Sequence, residues 1–141
     1  MAATDNSIAE AAEKLENRIK TALPIASIPM SSVSWIGAKF TTPNNAPWLR
    51  TSIFNLGIID QDASTSYETN RAQFTIGVFY PKGTGRAAMV TGKLIKDLFT
   101  AERFDDLNVE QVTVSPTAEP ESSSWFGVNV QIIFTYEGVV S

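Results

Sequence analysis

The sequence predicts an α+β fold: a mostly antiparallel sheet of four to five strands with two helices packed on one face. Three observations carry this expectation. The stretches Ala72 to Tyr80 and Phe126 to Tyr136 alternate apolar and polar residues, the pattern of strands with one buried and one wet face. The stretches from about Ser7 to Ala22 and from Gly85 to Ala101 repeat apolar residues at helical spacing. Their order is helix, two or three strands, helix, two strands, which lacks the repeated βαβ units of a parallel sheet. With 141 residues, no internal repeat and no linker-like stretch, residues 1–141 form a single domain.

Each element has its own signals. Ser7 followed by Glu10 resembles a capping box, and Ile8, Ala12, Leu15 and Ile19 then fall on one helical face. Pro24 ends that pattern, because the residue before a proline is pushed out of the helical region. Val33-Ser34-Trp35 makes a short strand bounded by Pro29 and Gly37, and the Pro- and Asn-rich stretch 41–47 is a loop. From Trp48 to Ile59 apolar residues occupy both alternation frames, which predicts cover on both faces for part of the strand. The polar, acidic stretch 60–69 exceeds a tight hairpin turn and reads as a projecting loop.

In the second helix Ala88, Gly92, Ile95 and Phe99 form an inner stripe, joined by Thr91, Leu94 and Leu98. A glycine inside a helix costs about 1 kcal/mol against alanine, so Gly92 implies close approach to the sheet. Lys93, Lys96 and Arg103 lie toward the end where positive charge suits the helix dipole. Val109, Val112 and Val114 change phase, which marks a bulge, and 115–124 is a polar loop before the last strand.

Composition excludes much chemistry. The chain has no cysteine and no histidine, so thiolate nucleophiles, disulfides, imidazole bases and most zinc sites are ruled out. The net charge is −4 and there is no Lys/Arg cluster of the kind that tracks a phosphate backbone. No apolar run reaches the ~18 residues of a membrane helix, and the N-terminus has no secretory pattern.

Gly83-Thr84-Gly85-Arg86-Ala87-Ala88 fits the G-x-G-x-x-G/A fingerprint between a strand and a helix. The preceding strand alternates instead of being continuously apolar, and a second βαβ unit is missing, so a glycine turn into a helix explains the run better. Asp60 with Asp62, and Asp105 with Asp106, suggest solvated acids more than metal or acid–base pairs, since no third ligand accompanies them. Trp35, Trp48 and Trp125 lie near strand starts, where an amphipathic ring seals a sheet edge or a subunit contact. No catalytic, cofactor-binding or metal-binding residue is assigned.

Laid out this way, the chain resembles the tail terminator family of long-tailed bacteriophages, the lambda U-like proteins. The resemblance rests on the N-terminal amphipathic helix ending in Leu23-Pro24 and on the Pro-rich loop into Trp48-Leu49-Arg50. It rests also on the strand Phe74 to Tyr80 running through Pro81-Lys82-Gly83-Thr84-Gly85-Arg86 into a helix, and on the closing strand ending at Tyr136.

The resemblance implies a non-enzymatic virion protein, made in the host cytoplasm and placed at the head-proximal end of the tail. Its implied partners are five further copies in a homo-hexameric ring, the tail tube protein, and the head-completion or neck protein. Genomic DNA would pass through the lumen without specific binding, and no membrane is involved. Such a ring caps the tube, stops its polymerisation and gives the neck a docking surface. Six subunits at −4 carry about −24, enough to repel DNA from the wall. The interaction residues expected on this reading are Trp48, Asp60, Asp62, Glu68, Glu119, Glu121 and Trp125, with either Asp60, Asp62 and Glu68 or Glu119 and Glu121 lining the bore, and the loops 41–47, 60–69 and 115–124 meeting the tube and the neck. The alternative is a head–tail connector or tail-completion adaptor on the portal side.

Overall fold

The computed structural model describes residues 7–21, 23, 28–61, 67–99, 103–104, 107–116 and 125–139. Helix α1 (Ser7–Lys20) buries Ala11, Ala12, Leu15 and Ile19, with Glu10 in its first turn and Arg18 and Lys20 in its last. Ser7 is itself helical, not the residue before the helix that the capping-box reading makes it. A 3-10 turn at Met30–Ser32 leads into the dipeptide strand β1 (Val33–Ser34). Strands β2 (Trp48–Gln61) and β3 (Tyr67–Pro81) form a long hairpin, followed by α2 (Gly85–Leu98). Strand β4 (Arg103–Phe104) is another dipeptide, and β5 (Leu107–Pro116) and β6 (Trp125–Val139) complete the sheet.

The strand order is β1-β2-β3-β6-β5-β4. Every pairing is antiparallel except β1 with β2, so the sheet is mixed by one short parallel edge. The α+β class is as the sequence predicts, and both described α-helices pack on the same face. Among the described residues there are six strands where four to five were expected, the dipeptide β4 being the one added.

The core follows the period-two pattern. Ala72, Phe74, Ile76 and Val78 of β3 and Val128, Val130, Ile132 and Phe134 of β6 are fully buried. They turn toward the helices, where they meet Leu15, Ile19, Ala88, Ile95 and Phe99. Helix α1 is fixed at both edges of its face. Glu16 Oε2 accepts from the Thr51 hydroxyl at 2.6 Å and from the Ile36 backbone N–H at 3.1 Å. On the other side Arg18 Nε donates to the Leu98 carbonyl at 2.9 Å, closing the free end of α2.

Two boundaries differ from the sequence reading. The stretch 60–69 is not a ten-residue loop: Asp60 pairs with Thr69 and Gln61 with Glu68. β6 runs alongside as far as Tyr67–Val139, so backbone pairing on both sides carries β3 through polar sequence. Helix α2 stops at Leu98, and Arg103 belongs to β4, so Lys96 is the basic residue of its last turn. The phase slip in β5 is the anticipated bulge, a register shift between Val109 and Gln111.

Gly92 has the packing reason expected of it. A Cβ built there would lie 3.0 Å from Val128 Cγ1 and 3.2 Å from Val114 Cγ1. The helix therefore rests on the sheet at backbone distance, and a large side chain would wedge the layers apart. Gly92→Leu is expected to lower the unfolding free energy by about 1–3 kcal/mol, read as a lower urea midpoint.

Candidate assembly surfaces

The sheet has a covered face and an open one. On the open face of β3 and β6 stand Arg71, Gln73, Thr75, Asn129, Gln131, Ile133 and Thr135, mostly polar and uncharged. Arg71 reaches across β6 to Glu110, the extra residue of the β5 bulge, with Nε 2.7 Å from one carboxylate oxygen and a terminal nitrogen 3.2 Å from the other. The bulge supplies a carboxylate out of step with its strand, and the forked pair ties the base of the β2–β3 hairpin to β5.

At one end of this face the aromatic residues gather. Trp48 stacks on Phe79 with centroids 4.3 Å apart and on Phe40 at 5.4 Å, and meets Trp125 edge-on at 6.1 Å. The Arg50 guanidinium lies 5.1 Å from the Phe79 ring centre. Gly77 permits this nest: a Cβ there would fall 2.8 Å from the Phe79 ring. Trp48 is buried within its own chain, its Nε1 lacking a hydrogen-bond partner among the described residues, and Trp125 sits half-buried at the rim. Of the two tryptophans expected at contacts, Trp125 has the surface left to offer.

Of the predicted acids, two lie among the described residues. Asp60 and Glu68 lie by register at the far end of the hairpin, where Thr69 pairs with Asp60 on one side and Glu137 on the other. Asp62 lies outside the described residues, as do Glu119 and Glu121; Asp105 and Asp106 are outside them too. The 117–124 stretch leaves β5 at Pro116 and enters β6 at Trp125, beside Pro81. From Tyr67 to Pro81, β3 covers roughly 45 Å at about 3.3 Å per residue, so Asp60 and Glu68 lie far from the start of β6 at Trp125.

Sequence reasoning missed the exposed apolar side chains. Cover on both faces was expected for β2, yet Phe54, Leu56 and Ile58 are 59%, 53% and 54% exposed. β1 pairs with β2 only at Leu49 and Arg50, so beyond that point β2 is the sheet's edge. Register shifts between Asn55 and Gly57 and between Ile58 and Asp60 twist this arm, and Gly57 takes φ +113° at the first. On α2, Met89 and Val90 are likewise exposed, outside the inner stripe. The signal was present in both cases: apolar residues in both frames of a strand, and an apolar pair on the wet side of a helix.

The glycine turn has structural reasons throughout. Gly83 adopts φ +94°, and a Cβ on Gly85 would press the Phe126 ring at 3.2 Å. The Thr84 hydroxyl donates back to the Pro81 carbonyl at 2.6 Å. β3 is flanked by antiparallel neighbours, whereas a dinucleotide fold sets its glycine turn in a parallel sheet.

What these surfaces define is a subunit built to meet other proteins: a sheet with thinly capped edges, an apolar arm and an aromatic rim. A solved structure named only by a sequence identifier shares this fold, with TM-score 0.56 and 21% identity over 85% of this chain and 94% of that one. No curated protein matches the chain. The family model described as phage tail terminator protein matches residues 8–134, and the chain belongs to that family. Its role is accordingly structural, in completing the bacteriophage tail, and it is a component of the virion tail.

The Arg71 pair gives a test of how the arm is anchored. The hydrogen bond from Arg71 holds the Glu110 carboxyl below the ordinary glutamate range; partial burial opposes this, and the guanidinium charge adds to it. A carboxylate lowered in the folded state stabilises above its unfolded pKa, and that contribution fades as pH falls through the folded value. The stability difference between the wild type and Glu110→Gln is expected to be constant near neutrality. It should shrink toward zero as pH drops past the usual glutamate value of about 4.3, in urea titrations at stepped pH.

Proposed function

We propose that this chain forms a closed ring, six subunits around, that caps the head-proximal end of the tail tube. The ring stops tube polymerisation and presents its outer surface to the neck or head-completion protein. Membership of the tail terminator family over residues 8–134 is the observation that carries this reading.

The fold supports it in two ways. Among the described residues the outermost strands are dipeptides, and most of the outer edges of β2 and β5 have no strand beside them to exclude a neighbour. The loop 41–47 leads into Trp48, and the 117–124 stretch leads into Trp125, which meets Trp48 at the aromatic rim. We assign the loop 41–47 and the 117–124 stretch together to docking on the tube or the neck. Glu119 and Glu121 are on this reading the acids turned to the bore, where negative charge lets DNA slide by repulsion. The hairpin acids Asp60, Asp62 and Glu68 serve a different contact.

The deciding measurement is tail length in electron micrographs of particles lacking this protein. Overlong tails without heads are expected. Tails of normal length left unattached would instead assign a connector role on the portal side, and normal infectious particles would overturn both.

A further inference from the structure

Among the described residues seven large hydrophobic side chains are exposed, and four of them fall in two patches of opposite charge. The first patch is on the hairpin arm: Phe54, opposite Gln73, and Leu56, the extra residue opposite Arg71, share the open face, while Ile58, opposite Asn70, stands on the other. Around it the sequence is acidic: Asp60, Glu68 and Glu137 lie at its end, and no Lys or Arg occurs between Arg50 and Arg71. Arg71 itself is engaged by Glu110. The second patch is the outer face of α2. Arg86 stands three and four residues before Met89 and Val90, Lys93 four and three after them, and all four are exposed. Lys96 is exposed on the next turn, and Asp97 is the sole acid of the helix. Lys93 and Asp97 pair at 3.4 Å with both side chains largely in water, a contact too weak to hold Lys93 from a better partner.

The two patches do not meet within one chain. Gly92 rests on Val128 and Val114, and Gly85 on Phe126, so the first half of α2 lies over the Trp125 end of β6. The arm residues Gly57 and Ile58 pair with Arg71 and Asn70, which in turn pair with Thr135 and Tyr136. About 20 Å of sheet separates these levels, and the paired strands do not fold back across it. An apolar patch with an acidic border and an apolar patch with a basic border, set apart on one rigid body, are the two halves of a head-to-tail contact.

We propose that the β2–β3 arm of one subunit docks on the outer face of α2 in the next, seating Phe54 and Leu56 against Met89 and Val90. The acidic end of the arm is thereby brought to the Arg86 and Lys93 side of the helix. The occupant of each patch is a second copy of this chain, and the contact is heterologous, so repetition closes a ring instead of ending at a dimer. This assignment rests on the ring reading and says which surfaces build it.

The native chain has no cysteine, so Leu56→Cys and Val90→Cys introduce unique thiols at exposed positions. In assembled rings, a short bismaleimide should link a mixture of the two single variants into covalent dimers only. The double variant should give a ladder of higher multimers, and each single variant alone should give no product. Charge reversal supplies a second measurement. Asp60→Lys with Glu68→Lys, and separately Arg86→Glu with Lys93→Glu, should each weaken ring formation at least tenfold in sedimentation experiments. Mixing the two should restore hetero-assembly. Rings that form normally in both reversed variants and yield no Leu56→Cys to Val90→Cys product would overturn the arm-to-helix contact while leaving the ring standing. Self-linking of Leu56→Cys alone would show a two-fold contact and overturn it as well. Wild-type protein that stays monomeric even on tail tubes would overturn the ring itself.

Discussion

The pairing of β3 with β6 runs in unbroken register from Tyr67–Val139 to Pro81–Trp125, and the rest of the molecule is arranged on it. It fixes which residues point to the helices and which to the open face, because a slip of one position would turn every side chain over. With that register set, α1 and α2 have a continuous apolar floor, and Gly92 lets α2 settle onto it. The same pairing carries the hairpin beyond the helices, since β6 supports β3 as far as Tyr67. The arm, the aromatic rim and the thin edges are all consequences of two central strands longer than the layer that covers them.

Much of this was legible in the residues. The alternation of Ala72 to Tyr80 and of Phe126 to Tyr136 predicted both central strands and their buried faces, and those residues line the core. The helical stripe of Ala88, Gly92, Ile95 and Phe99 predicted the inner side of α2, and Gly92 predicted the close approach. The slip among Val109, Val112 and Val114 announced the bulge that puts Glu110 within reach of Arg71. Family membership was legible too, through the order of turn and strand signatures rather than through any reactive group.

What escaped has physical causes. Backbone pairing does not depend on side-chain polarity, so Asp60, Glu68 and Thr69 continue a ladder that composition assigns to a loop. Apolar residues in both frames of β2 read as burial on two sides, whereas bulges near Leu56 and Ile59 break the alternation on a strand with an open flank. Met89 and Val90 fell on the wet side of a helix whose inner stripe already accounted for its hydrophobicity. Local periodicity records what a residue prefers as its neighbour. It does not record whether that neighbour comes from the same polypeptide.

The kinked flank of β2 has one more consequence. A straight, flat strand border with Phe54, Leu56 and Ile58 along it would accept any passing strand and seed fibrils. Two extra residues and a left-handed glycine spoil the spacing that a stacked cross-β neighbour would need. An apolar border bent in this way resists the edge-to-edge stacking that builds filaments.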